Sequence, residues 1–191
     1  MQKVNIDQLV SGLREISDEE FVCEPVYEYL SAREMDTDSI TKYLHWSPNF
    51  YTRNLIYKDE RFEMMAICWE KGQVSRVHNH WDQRCWMMVP VGKLLGQNFG
   101  VEEIDEGRGY CKLYETNNFE LTECLAARVD LEEPIHQVLN LAEYDERAVS
   151  IHIYSKPYDR CLSYCRDTNT YKEVELFYTS IDGKLCDGIQ L

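Results

Sequence analysis

The 191-residue sequence predicts an all-β core, a sandwich or barrel, behind a short N-terminal helical cover. Three observations carry that expectation. Before Pro48, apolar residues recur at helical spacings of three and four. After Pro48, short runs rich in Val, Ile, Tyr, Phe and Met recur up to Tyr178, separated by Gly, Asp and Asn turns. With 44% hydrophobic and 28% charged residues, and only 9 Gly and 5 Pro, the composition suits one compact core and excludes collagen-like and disordered classes.

Residues 1–46 read as helices. Leu9, Leu13 and Ile16 lie on one helical face, and Ser17 with Glu20 reads as a capping box before Phe21. Pro25 opens a second short helix, and Asp38 caps a third running through Ile40, Tyr43 and Leu44. The expected strands are YTRNLIY, FEMMAICW, VSRVH, CWMMVPV, KLLGQNF, CKLYE, FELTECL, IHQVLN, VSIHIY and YKEVELFY. So many short strands imply a sandwich or barrel over residues 50–180. Residues 181–191, with Asp182-Gly183 and Asp187-Gly188, read as a last hairpin or a loose tail. One domain over residues 1–191 is expected.

A net charge of -14 repels phosphate backbones and anionic headgroups, so nucleic acid and membrane surfaces are poor partners. The first residues read as no leader, no apolar run reaches spanning length, and a cytoplasmic monomer is expected. The cysteines, at 23, 68, 85, 111, 124, 161, 165 and 186, are scattered and read mostly as reduced, buried, small hydrophobes.

The chemistry collects in the β region. His78 and His80 are two apart on an expected strand, so they share a face and can converge on one metal ion. In AVSIHIY the strand period puts Val149, Ile151 and Ile153 on one face and Ser150, His152 and Tyr154 on the other. That second face can form a hydroxyl, imidazole, phenol hydrogen-bond chain directed into a cavity.

From Gly72 the spacing runs five residues to His78, one to His80, four to Cys85 and six to Gly92. This resembles the first cupin motif, with Cys85 where a glutamate ligand usually stands. His136 followed by Asn140 resembles the end of the second motif, with Leu131 and Glu133 at its usual Pro and Gly. The resemblance implies a jelly-roll β-barrel with one metal held by His78, His80 and His136.

More narrowly, YTRN at 51–54, Cys68-Trp69, the HNH run followed by Cys85, His136 and SIHIYSKPYDRC at 150–161 resemble the cysteine dioxygenase family, non-haem iron thiol dioxygenases of the cupin superfamily. The family implies Fe(II) as cofactor and L-cysteine and O2 as substrates. It implies Arg53, helped by Tyr51, as the carboxylate clamp, Tyr154 as a donor to substrate or oxygen, and His152 and Ser150 as its supports. It also implies a thioether between Cys85 and Tyr154. Asn79, Trp81 and the spacing Ser155, Lys156, Pro157 depart from animal enzymes and suggest a bacterial member. A dioxygenase for 3-mercaptopropionate and a non-catalytic, zinc-bearing cupin are the alternatives.

Overall fold

The computed structural model describes residues 1–122, 126–128 and 134–191. Strand β1 (Gln2–Val4) leads into helix α1 (Ile6–Glu15), whose N-cap is Asn5. Asn5 accepts from the Gln8 backbone while the Gln8 side chain accepts from the Asn5 N–H, so two orphan donors are satisfied together. Leu9 and Leu13 are fully buried, as their spacing predicts, and Ile16 is the C-cap.

The Ser17 and Glu20 pair bonds as expected but closes a turn and starts no helix. Helix α2 (Cys23–Ser31) begins after Val22, which offers no side-chain cap, with Pro25 in its first turn where the missing N–H costs nothing. Strand β2 (Arg33–Met35) pairs in parallel with β1, a small sheet absent from the sequence reading. The third expected helix is a 3-10 helix, Thr37–Tyr43, preceded by Asp36, and Asp38 lies inside it. Its buried residues, Ile40 and Tyr43, are three apart, the repeat of a 3-10 turn.

The β region follows in chain order: β3 (Thr52–Lys58), β4 (Phe62–Trp69), β5 (Val77–His78), β6 (Arg84–Val91), β7 (Leu94–Asp105), β8 (Tyr110–Leu121), β9 (Ala126–Arg128) and β10 (Ile135–Leu139). Then come β11 (Ala148–Ser155), β12 (Arg160–Cys165), β13 (Thr170–Glu175), β14 (Ser180–Ile181) and β15 (Lys184–Leu185). Of the expected run VSRVH only Val77–His78 is a strand, and Val74 makes a single bridge to Leu139. Phe119–Leu121 of FELTECL ends β8, and Glu123, Cys124 and Leu125 lie outside the described residues, as do Leu131 and Glu133. The final expected strand stops at Glu175. Residues 180–185 form the hairpin alternative, with Asp182 and Gly183 at φ 47° and 76°, the two positive angles of a type I′ turn.

The strands make two sheets, as a jelly roll requires. One has the order β15-β14-β3-β4-β11-β6-β9, and the pairing of the other closes in the ring β10-β5-β12-β13-β8-β7. The outer face of the first sheet presents Phe62, Met64, Trp86, Ile151 and Ile153 to Leu9, Leu13, Val26 and Leu30 of the helices. Its inner face presents Met65, Ile67, Trp69, Cys85 and Tyr154 toward Leu94, Leu121 and Val138 of the second sheet. The helices therefore cover the outside, and between the sheets a second apolar cluster borders the polar residues of the site.

Candidate metal centre and its cavity

His78 ends β5, and register pairs it with His136 on β10, so the two imidazoles are cross-strand neighbours. His80 lies just past β5, in a turn that Gln83 N–H closes onto the His80 carbonyl. Trp81, at φ 54°, reverses the chain there and keeps His80 beside His78. The Nε2 atoms of His80 and His136 lie 3.2 and 3.3 Å from Nε2 of His78. All three rings offer nitrogens within 4.8 Å of one another.

The fit to a metal ion can be judged from these atoms. Nδ1–H of His78 donates to the Arg76 carbonyl at 2.8 Å, which leaves its Nε2 lone pair facing the other two rings. Burial, with the Arg53 charge adding to it, holds His78 down to about 4, and burial with the neighbouring imidazoles holds His80 and His136 well below the ordinary imidazole value. Neutral rings with converging lone pairs repel unless a cation lies among them. Two nitrogens bound at about 2.0–2.1 Å around a tetrahedral ion stand roughly 3.3 Å apart, which matches the spacing here. Three imidazoles fit one divalent metal and leave coordination positions free.

Beside the histidines lies a cavity of about 60 Å3 whose wall includes Tyr51, Arg53, His78, His152, Tyr154 and Tyr158. Tyr51 stacks on Trp69 at 4.6 Å, and the Trp69 indole donates to Ser150 Oγ at 2.9 Å. Ser150 Oγ lies 2.9 Å from His152 Nε2, and His152 Nδ1 lies 3.0 Å from Tyr154 Oη. An indole can only donate, so Ser150 accepts from it and directs its own proton to Nε2; His152 then carries its proton on Nδ1. The Tyr154 oxygen accepts that proton's bond, and its own O–H faces the Cys85 sulfur and the cavity. Burial keeps His152 neutral, lowered to about 3, and pushes the Tyr154 phenol well up, so both stay in these forms at neutral pH.

Arg53 is carried by β3 opposite Ile67, on the inner face. Its Nη1 is buried and has no hydrogen-bond partner among the described residues, although the guanidinium lies 5.8 Å over the Tyr178 ring. Cys85 on β6 is the register partner of Tyr154 on β11, and burial pushes its thiol far up, against the lowering contact with the Tyr154 hydroxyl.

Of the residues expected from the sequence, Tyr51, Arg53, His78, His152 and Tyr154 line one cavity, His80 and His136 converge on His78, Ser150 bonds His152, and Cys85 is the register partner of Tyr154. Two features were not anticipated. Tyr158, in the loop after β11, packs edge-on to Tyr154 at 5.0 Å and to His80 at 5.8 Å. Glu63, fully buried on β4, accepts from the Tyr178 hydroxyl and lies 3.5 Å from Lys58. Both were within reach of the sequence: Tyr158 stands in the 150–161 motif, and Glu63 is the one charge inside FEMMAICW.

Comparison with known proteins agrees with this geometry. Residues 2–167 match the family described as Cysteine dioxygenase type I. A cysteine dioxygenase type 1 of Danio rerio is 25% identical over 191 residues, covering 96% of this chain and 90% of its own. The Rattus norvegicus protein of the same name is 28% identical over 158 residues, 82% of this chain and 76% of its own. Among solved structures, a cupin superfamily protein of Desulfitobacterium hafniense superposes with a TM-score of 0.43 at 10% identity, over 60% of this chain and 84% of its own. Since the family match runs through every element that builds the metal centre, the chain belongs to the cysteine dioxygenase type I family.

Proposed function

We propose that the protein oxidises L-cysteine with O2 to cysteine sulfinic acid, using Fe(II) held by His78, His80 and His136. The observation that carries the reading is a buried guanidinium nitrogen of Arg53 without a hydrogen-bond partner, in the wall of the cavity that His78, one of three converging imidazoles, also lines. When bound, the iron supplies open positions at which a thiolate and dioxygen can meet.

The remaining work falls to the chain's own side chains. Arg53 offers a planar fork to the substrate carboxylate, and Tyr51, held against Trp69, stands beside it in the cavity wall. Fixing the carboxylate turns a flexible thiol into an oriented one. Tyr154 presents its O–H, and Ser150 and His152 hold that phenol at one orientation without changing charge themselves. The cysteines among the described residues form no disulfide, which suits a reducing cytoplasm.

The test is oxygen uptake with metal analysis. L-cysteine should be consumed with one O2 per thiol by protein containing iron. Losing a charge-assisted bidentate contact in a desolvated site costs about 2–5 kcal/mol, so Arg53→Ala should lower kcat/KM for L-cysteine by roughly two orders of magnitude. Cysteamine, without a carboxylate, should be little affected. Faster turnover of 3-mercaptopropionate than of L-cysteine would move the assignment to that thiol, and zinc-filled protein without oxygen uptake would make it a binding domain.

A further inference from the structure

Among the described residues the Tyr158 hydroxyl has no hydrogen-bond partner, as is also true of Tyr51 in the same cavity wall, whereas the Tyr154 hydroxyl in that lining meets His152. Tyr158 is nevertheless not a surface residue in the ordinary sense: its ring is wedged between Tyr154 and His80, and it lines the same cavity as Arg53. The loop that carries it is tied down on both sides. Lys156, at φ 57°, donates its N–H to the Arg61 carbonyl at 2.8 Å, and the Asp159 carbonyl accepts from Leu176 N–H at 2.8 Å. Pro157 between them fixes one more backbone angle. A phenol held this firmly, with a hydroxyl that no protein atom engages, is organised for something that enters the cavity.

The nature of the missing partner follows from its neighbours. The electrostatic surroundings of the Arg53 guanidinium are the phenols of Tyr154, Tyr158 and Tyr51, together with Glu63. A guanidinium cannot accept a hydrogen bond, and a phenol O–H directs its proton at an acceptor. A carboxylate satisfies both at once: its two oxygens accept from the guanidinium and the phenol, and its charge offsets that of Arg53. We propose that Tyr158 is a further substrate-positioning residue, donating a hydrogen bond to the same substrate carboxylate that Arg53 clamps. The proposal rests on the thiol-carboxylate reading above and extends it. It makes selection for a carboxylate depend on a residue in the loop after β11 as well as on β3.

Tyr158→Phe removes the hydroxyl and keeps the ring packing. One hydrogen bond to a charged group is worth about tenfold in binding. The variant should therefore show KM for L-cysteine raised about tenfold with kcat within about twofold of wild type. Its iron content and melting temperature should be unchanged, and so should its KM for cysteamine. Anaerobic calorimetry with L-cysteine and iron-loaded protein should show the same roughly tenfold weakening. An unchanged KM for L-cysteine, an equal rise for cysteamine, or a loss of iron would each overturn the role of Tyr158. Wild-type protein that oxidises no carboxylate-bearing thiol would overturn the underlying reading and this one with it.

Discussion

The two faces of β11 are equally buried and do opposite things. Val149, Ile151 and Ile153 are 0% exposed, and so is Ser150, with His152 at 4% and Tyr154 at 3%. The first three pack with Phe62, Met64 and Leu13 beneath the helices, where area removed from water is the whole contribution. The second three are between the sheets, where each polar atom needs a partner. They meet that need by bonding in series from the Trp69 indole to the Tyr154 phenol. One strand therefore stabilises with one face and positions with the other. The comparison teaches that low exposure alone does not separate a core residue from a site residue. The pattern of satisfied and unsatisfied polar atoms does.

Four measurements would break or sharpen that contrast, the largest effect first. His136→Ala should lose nearly all metal and, with it, turnover, because two imidazoles remain. His152→Ala, equally buried but turned away from the three converging nitrogens, should keep most of the metal and slow turnover. Metal analysis giving equal losses for both would show the division between ligands and support to be wrong. On the other face, Ile151→Ala should cost about 2–5 kcal/mol in urea unfolding and leave kcat/KM of the folded fraction unchanged. A matching fall in kcat/KM would mean that the apolar face also tunes the site.

The third measurement is the pH dependence of metal-free protein. His152 is at about 3 when folded, below the unfolded imidazole value of 6.5. Its contribution to stability is complete above pH 6.5 and is lost as pH falls through the window toward 3, because the unfolded chain takes up the proton that the folded chain refuses. The slope should approach roughly 1.4 kcal/mol per pH unit for such an imidazole, steeper where His78, His80 and His136 join it. A melting temperature flat from pH 7 to 5 would show that these rings are charged or hydrated when folded. The smallest effect is the thioether proposed between Cys85 and Tyr154. It would form with loss of one S–H and one ring C–H hydrogen, with dioxygen as oxidant, and should appear as two peptides joined with loss of two hydrogens. Only unmodified peptides after many turnovers would count against it.

Much of this was legible in the sequence because the strands around the site are strongly apolar. FEMMAICW, CWMMVPV and VSIHIY fell within a residue or two of β4, β6 and β11, whose inner and outer faces follow from a period of two. What was missed lies where tertiary partners decide. RCLSYC has no β-branched residue, yet it is a strand because β13 and β5 supply hydrogen bonds on both sides. Ser17 and Glu20 satisfy each other locally and so look like a helix start, although the chain does not continue as one. Glu63 in an apolar run reads as a solvent-facing residue until Tyr178 and Lys58, more than a hundred residues apart from each other, are seen to meet it.

The strand that carries Arg53 has one neighbour supplied early and one supplied very late. β4 follows it directly, but its other edge is closed by Ser180 and Ile181, and Ser180 Oγ bonds Asn54 across 126 positions of sequence. During synthesis on the ribosome, the N–H and C=O groups of that edge therefore wait through most of translation before their partners emerge. An open β edge is a template for pairing with another chain, so slow elongation or premature release between residues 60 and 180 would expose this strand to self-association. The arginine that would recognise substrate thus sits on the element most dependent on the nascent chain being completed.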